Sequence, residues 1–191
     1  VDVLQRYSVG AFIEPGIEKH NATIDALEKE VAGQHIPRII ARRGMVLDLG
    51  GGAHLDILYP DKDVSGYGEK TNDGSIMAHL VYGDTSALLT ADDPTGVESY
   101  VMRIASTSEL KSDILKVGHH GSRFSTGSAF VKEVNPQTAV ISVGAHNTYG
   151  HPTKQVLDIL AGQNVAVLRT DESGTVRCVS DGAVFSCRTE K

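Results

Sequence analysis

Two adjacent histidines, a glycine and a serine follow a short apolar run in "KVGHHGSRFSTGS", Lys116 to Ser128. Successive side chains of a strand point to opposite faces, so the pair cannot share one face within it. At the strand's end, in a glycine-relaxed turn, both imidazoles can reach a common cleft. Imidazole binds a transition metal through one ring nitrogen while a neighbouring group holds the other. Two histidines after a buried strand point to that use more than one does. Gly118 and Gly121 let the backbone turn sharply and a substrate approach closely. Ser122 can donate to a phosphate or orient a ligand. As structure alone, the stretch is an exposed polar loop in which Lys116 and Arg123 are solvated charges.

Three further stretches carry reactive residue types after apolar runs. "ALLTADD" delivers Asp92 and Asp93, although strand-end aspartates also cap helices and Asp93-Pro94 suits the start of the next one. "VGAHNTYGHP" delivers His146, Asn147, Tyr149 and His151 ahead of a helix beginning near Pro152-Thr153. His151 is the cleft candidate, placed to contact a scissile phosphate or protonate a leaving oxygen, while His146 points to solvent. "NDGS", Asn72 to Ser75, reads as a turn, and His20, His35, His54 and His79 are unclustered surface or core residues. An aspartate and several histidines on strand-end loops are the ligand types of zinc or manganese. Two such ions ~3.5–4 Å apart clamp a phosphodiester and generate hydroxide at neutral pH.

The elements that must position these loops are legible from periodicity and punctuation. "VGAFIEPG" reads as a strand, and "NATIDALEKEVA" as a helix capped by Asn21 with Ile24, Leu27 and Val31 on one face. "PRIIA", "MVLDLG" and "HLDILYP" are strands, and "DKDVSGYGEKTND" is a surface loop. "SIMAHLVYG" and "SALLTA" form a hairpin through Gly83-Asp84, and "TGVESYVMRIA" is a helix. Strands and helices then alternate through "DILKVG", "SAFVKEV", "TAVISVG", "TKQVLDIL" and "VAVLRT". A hairpin of "TVRCVS" and "AVFSCR" closes the chain. Strands that meander and then alternate with helices predict a layered α/β domain, two sheets with helices outside.

The 191 residues suit a single domain, and an apolar content of 40% with 22% charged residues suits a globular core. A net charge of −6 argues against nucleic-acid binding through a broad basic surface. It leaves open an enzyme that grips phosphate through metal ions. No apolar stretch approaches the ~20 residues that cross a bilayer, and no signal-peptide pattern opens the chain. Cys178 and Cys187 flank "VSDGAVFS". A two-residue turn at Asp181-Gly182 would set Cys178 opposite Phe185 rather than Cys187, so free thiols are expected.

Together, "NDGSIMAHLVYGDTSALLTADD", "DILKVGHHGSRFSTGSAFVKEVNP", "AVISVGAHNTYGHP" and "VAVLRTDESGTV" resemble, in order and spacing, one family. It is the C-terminal metallo-β-lactamase-like domain of the DNA-internalisation competence protein ComEC and the standalone hydrolases related to it. The resemblance implies an α/β metallo-β-lactamase-like αββα sandwich over residues 1–191, acting as a hydrolase with two divalent ions, zinc or manganese. It further implies a phosphodiesterase or nuclease that degrades the non-transported strand of incoming DNA, with single-stranded DNA as substrate. The implied setting is extracytoplasmic, tethered through the membrane-spanning channel region of a parent protein.

Carried over residue by residue, Asp92 and His119 are the expected metal ligands, Asp92 bridging the two ions. His120, His151 and Ser122 are the expected catalytic residues, with Asn72, Ser75 and Tyr149 in support. Two departures stand out. Ala91 occupies the glycine position of the family's "LTGD", and no "HxDxDH" motif is present, so the expectation is a domain truncated just after that motif. The alternatives are a hydrolase of another ester, separated by the presence or absence of a membrane region upstream, and a non-catalytic scaffold or binding remnant.

Overall fold

Apolar runs and turn residues alternate along the chain, and the backbone follows that punctuation. The computed structural model describes residues 1–190. It begins with α1 (Asp2–Arg6), β1 (Phe12–Glu14), α2 (Ala22–Gly33) and β2 (Arg38–Ile40). A meander of β3 (Val46–Gly50), β4 (Ala53–Tyr59), β5 (Met77–Tyr82) and β6 (Thr85–Leu89) follows. Then come α3 (Thr95–Ile104), α4 (Thr107–Leu110), β7 (Ile114–Lys116), α5 (Ser128–Val134), β8 (Thr138–Ile141), α6 (Lys154–Gly162) and β9 (Ala166–Arg169). The chain ends with α7 (Thr170–Ser173), β10 (Thr175–Ser180) and β11 (Phe185–Glu190).

Strands β3 to β9 form one seven-stranded sheet in chain order. Its first half is antiparallel, because two-residue and glycine-rich turns join β3 to β4 and β5 to β6. From β6 to β9 the strands run parallel, since helices supply the crossovers that parallel neighbours require. Asn21 caps α2 as expected, its Oδ1 accepting from the backbone N–H of Thr23 and of Ile24, each at 3.0 Å. An unexpected short helix, α4, starts at Ser106, where Ser106 and Glu109 form a reciprocal capping box.

Period-two alternation divides the sheet's side chains between two faces. Leu88, Leu115, Ala139 and Ile141 point to α3, α5 and α6 and pack with Val101, Phe130, Val131, Val156 and Leu160 into the main core. On the opposite face, Leu47, Leu55, Ile57 and Ala78 meet Ile13 and Ala41 of the β1–β2 unit. Outside that unit, α2 packs Leu27 and Val31 against Leu4 and Ile36. At the far end of the same face lies the β10–β11 hairpin. Gly182 carbonyl oxygen accepts from Asp84 N–H at 2.6 Å, and the Thr85 and Ser180 hydroxyls are 2.6 Å apart. Gly83 has no room for a side chain there, since a Cβ would stand 2.2 Å from the Gly182 oxygen.

The architecture is a mixed α/β one, with the second layer differing from a continuous second sheet. β1–β2 and β10–β11 form strand ladders only within themselves, leaving two separate two-stranded pieces. Between hairpin and sheet lies an apolar cavity of about 520 Å³, lined in part by Leu80, Leu89, Ile114, Val140, Val179 and Phe185.

The cysteine expectation is corrected. The turn is a four-residue loop, Asp181 to Val184, held by Asp181 Oδ1 accepting from Ala183 and Val184 N–H, each at 2.9 Å. Two extra loop residues slide the register so that Cys178 stands directly opposite Cys187, and the two are disulfide-bonded.

Candidate active site

Strand order assembles the site. Strands β6, β7 and β8 are parallel neighbours with Leu89, Lys116 and Val140 in register, so their C-terminal ends share one edge of the sheet. Asp92 follows β6, His119 and His120 follow β7, and His151 ends the loop after β8. Loops on that edge of parallel strands are where ligand sites form in open α/β sheets.

The three loops are latched together by backbone bonds. His119 N–H donates to Ala91 oxygen at 2.9 Å, and the Thr90 hydroxyl donates to Lys116 oxygen at 2.8 Å. Thr153 donates both its N–H and its hydroxyl to Gly121 oxygen, at 2.9 and 3.0 Å. Gly121 has a φ of +84°, and a Cβ there would stand 2.5 Å from Pro152 Cβ. His119 and His120 themselves have φ of 46° and 57°, a left-handed conformation unusual for two consecutive non-glycine residues. The sequence-expected turn is therefore tighter than glycine alone requires. Asn147 hooks the third loop, its side chain accepting from His151 N–H at 3.0 Å and donating to His151 oxygen at 2.8 Å.

The side chains follow from these anchors. His120 Nδ1 donates to Ser142 oxygen at 2.7 Å, and Nε2 lies 3.9 Å from Asp92 Oδ1. The His119 ring lies 6.2 Å from that of His120 and 5.8 Å from that of His151. Asn72 reaches in from its turn, its Nδ2 3.5 Å from His119 Nδ1. Tyr149 stacks on His151 with ring centres 5.9 Å apart and planes 25° apart. Loss of hydration, with the His119 and His120 rings close by, pushes the His151 imidazole below its ordinary value against the pull of Asp92. At neutral pH it is a proton acceptor.

The remaining expected residues lie at the margin. Ser75 closes the Asn72 turn through its N–H to Asn72 oxygen at 3.2 Å. Ser122 is only 3% exposed, and its hydroxyl accepts from Phe124 N–H at 3.4 Å. His146 is exposed, as expected.

Three residues behave differently from the sequence reading. Asp93 caps nothing, because Pro94 is the cap position of α3 and no side chain bonds there. Its carboxyl is buried with both oxygens unpartnered. Burial first, then Glu98, Asp92 and Asp73, pushes it up to about 9, so it carries a proton at neutral pH. Glu98, which the sequence reading passed over, is also buried and accepts from Gly127 N–H at 2.9 Å. Its signal was present: it sits beside Val97 and one turn from Val101, on the face α3 buries. Lys116 is not a solvated charge. It lines the apolar cavity, and burial pushes its ammonium down against the opposing pull of Asp92.

The fit to a metal ion is partial. Asp92 and His120 present two donor atoms to one spot, but among the described residues no three His, Cys, Asp or Glu side chains converge as a metal-holding group.

No protein-family model matches the chain. It is 42% identical over 106 residues to ComE operon protein 3 of Bacillus subtilis (strain 168), a match covering 56% of this chain and 13% of that protein. Competence protein ComA of Neisseria gonorrhoeae is 37% identical over 107 residues, 56% of this chain and 15% of that protein. Recombination protein 2 of Haemophilus influenzae is 35% identical over 126 residues, 66% of this chain and 15% of that protein. The chain is thus similar, over half its length or more, to competence-related proteins, and the matches span only 13% to 15% of these relatives.

Proposed function

We propose that the chain is a hydrolytic domain of a larger DNA-uptake protein, cutting a phosphodiester of the strand that is not transported. The competence-related relatives support the role in DNA uptake. The single observation that carries the hydrolytic reading is the gathering of His119, His120, His151 and Asp92 at one edge of the sheet from three strand-end loops. Helices on the outer face of a large sheet, with two small sheets and α2 on the other, support a metallo-β-lactamase-like layering. No helix among the described residues is long and apolar enough to cross a membrane. The Cys178–Cys187 bond supports an extracytoplasmic setting, because disulfides persist where the surroundings are oxidising.

The chain's own residues give this chemistry its parts. In phosphodiester hydrolysis a P–O bond to water forms, the P–O bond to the leaving oxygen breaks, and one proton moves from water to that oxygen. Neutral His151 takes the proton, and its imidazolium returns it to the leaving oxygen. His120, held by Ser142, keeps its Nε2 toward Asp92, and Asn72 orients His119. Divalent zinc or manganese belongs to the proposal as the expected cofactor, with Asp92 and His120 as the two donors this chain presents together. No third donor converges with them among the described residues.

That same shortfall favours a second reading, a DNA-binding or scaffold domain without turnover. Cleavage of a labelled single strand by the purified chain, with manganese or zinc supplied, separates the two. The hydrolytic reading expects cleavage that Asp92→Ala and His151→Ala abolish; cleavage unchanged in both variants overturns it, and binding without cleavage selects the second reading.

A further inference from the structure

Building on the assignment of the cleft to DNA, we propose that Tyr149, assisted by Phe124, is a base-stacking platform that makes the cleft select unpaired nucleotides. Exposed aromatic rings are scarce here. Among the described residues only Tyr7, Phe124 and Tyr149 are exposed Phe or Tyr side chains, at 68%, 60% and 82%, and two of the three stand on the loops that follow β7 and β8. Tyr149 precedes His151 in the loop after β8, and Phe124 lies just beyond Gly121, whose α-carbon packs on Pro152.

One face of the Tyr149 ring lies near-parallel to the His151 imidazole, with planes 25° apart, and the exposure leaves the other face to solvent. That free face, beside the imidazole that the hydrolytic reading assigns to the proton transfer, can accept a nucleobase. Phe124 carries the Arg123 guanidinium over its ring at 4.8 Å, which sets a cation beside a second aromatic surface.

Charge makes the same demand from the other side. A net charge of −6 argues against a broad basic surface, and Lys116 is partly buried where it lines the cavity. Phosphate contacts by many lysines and arginines normally supply binding to duplex DNA. Stacking is independent of net charge, tolerates any base, and works only on bases that have left the duplex. The aromatic pair therefore supplies both affinity and discrimination against paired DNA.

The test is equilibrium binding by fluorescence anisotropy with EDTA present, so that cleavage cannot intrude. The probes are a short oligothymidine, an abasic strand of the same length, and a duplex. Wild type is expected to bind the oligothymidine about 5- to 150-fold more tightly than the abasic strand, and to disfavour the duplex. Tyr149→Ala should erase that preference, Tyr149→Phe should retain it, and Phe124→Ala should reduce it. Both rings are exposed, so these substitutions leave the core packing intact, and circular dichroism checks it. Equal wild-type binding to base-bearing and abasic strands, or an unchanged preference in Tyr149→Ala, overturns the stacking inference while the DNA reading stands. Failure to bind any of the three probes overturns both.

Discussion

The two faces of the seven-stranded sheet are made by the same strands and are finished differently. Leu115 points to the helices and is fully buried, while its neighbour Ile114 faces the cavity and is only half-buried. Leu88 and Leu89 repeat the contrast one strand away. Helices α3, α5 and α6 interdigitate with the first face as one continuous layer. Over the second face lie two separate two-stranded pieces and about 520 Å³ of space. Strand periodicity assigns apolar side chains to both faces alike, so only the cover distinguishes them. The candidate site sits at the edge where the finishes meet, with buried Asp93 on one side and cavity-lining Lys116 on the other.

The largest expected effect tests the cover directly. Leu115→Ala should cost about 2–5 kcal/mol in urea unfolding, since it empties a packed site. Ile114→Ala should cost about 1 kcal/mol, because a side chain facing a void has fewer contacts to lose. Equal losses would break the comparison.

Asp93→Asn probes the packed side through pH. A carboxyl whose folded value is raised stabilises fully below its unfolded value, and that contribution fades as pH rises through the folded one. Wild type should therefore lose stability between about pH 4 and about pH 9, the window set by the shift from 3.8. The amide variant, measured in EDTA, should show a flatter profile and exceed wild type by about 1–3 kcal/mol or more at the alkaline end, because only the wild-type side chain must bury a charge there. A wild-type melting temperature flat across that range would remove Asp93 from the buried, protonated set.

Lys116→Met probes the cavity side, with the smallest effect and the opposite sign. A buried ammonium with a lowered folded value destabilises at neutral pH, and wild type recovers as pH rises through that value toward the ordinary 10.5. The methionine variant should gain about 1 kcal/mol at pH 7, narrowing toward pH 10. A loss at pH 7 would place the ammonium in water and contradict its burial.

Much of the fold was legible because helix and strand periods are local. The Asn21 cap, the Gly83-Asp84 hairpin and the strand-helix alternation after Ile114 stand where periodicity put them. The Ser106 capping box was legible too but went unread, its helix being a single turn. The hairpin loop failed for a sharper reason. Asp-Gly predicts a two-residue turn, and Asp181 instead accepts from residues two and three further on, which decides whether the cysteines meet. At the site, residue types were legible while burial was not. Asp92 and Asp93 look equivalent in sequence, yet one is part-exposed beside His120 and the other is sealed without a partner.

The sequence by itself determined the order of strands and helices, the inward-facing apolar set, and the placing of histidines and aspartates just past strand ends. Side-chain alternation and capping act over a few residues, so a linear reading captures them. Only the tertiary structure decided that β6, β7 and β8 lie side by side and carry Asp92, His119, His120 and His151 to a common edge. It also decided that Lys116 faces a cavity and that Cys178 meets Cys187. Those outcomes depend on which strands pair and what covers each face, interactions between residues far apart in the chain that no local pattern encodes.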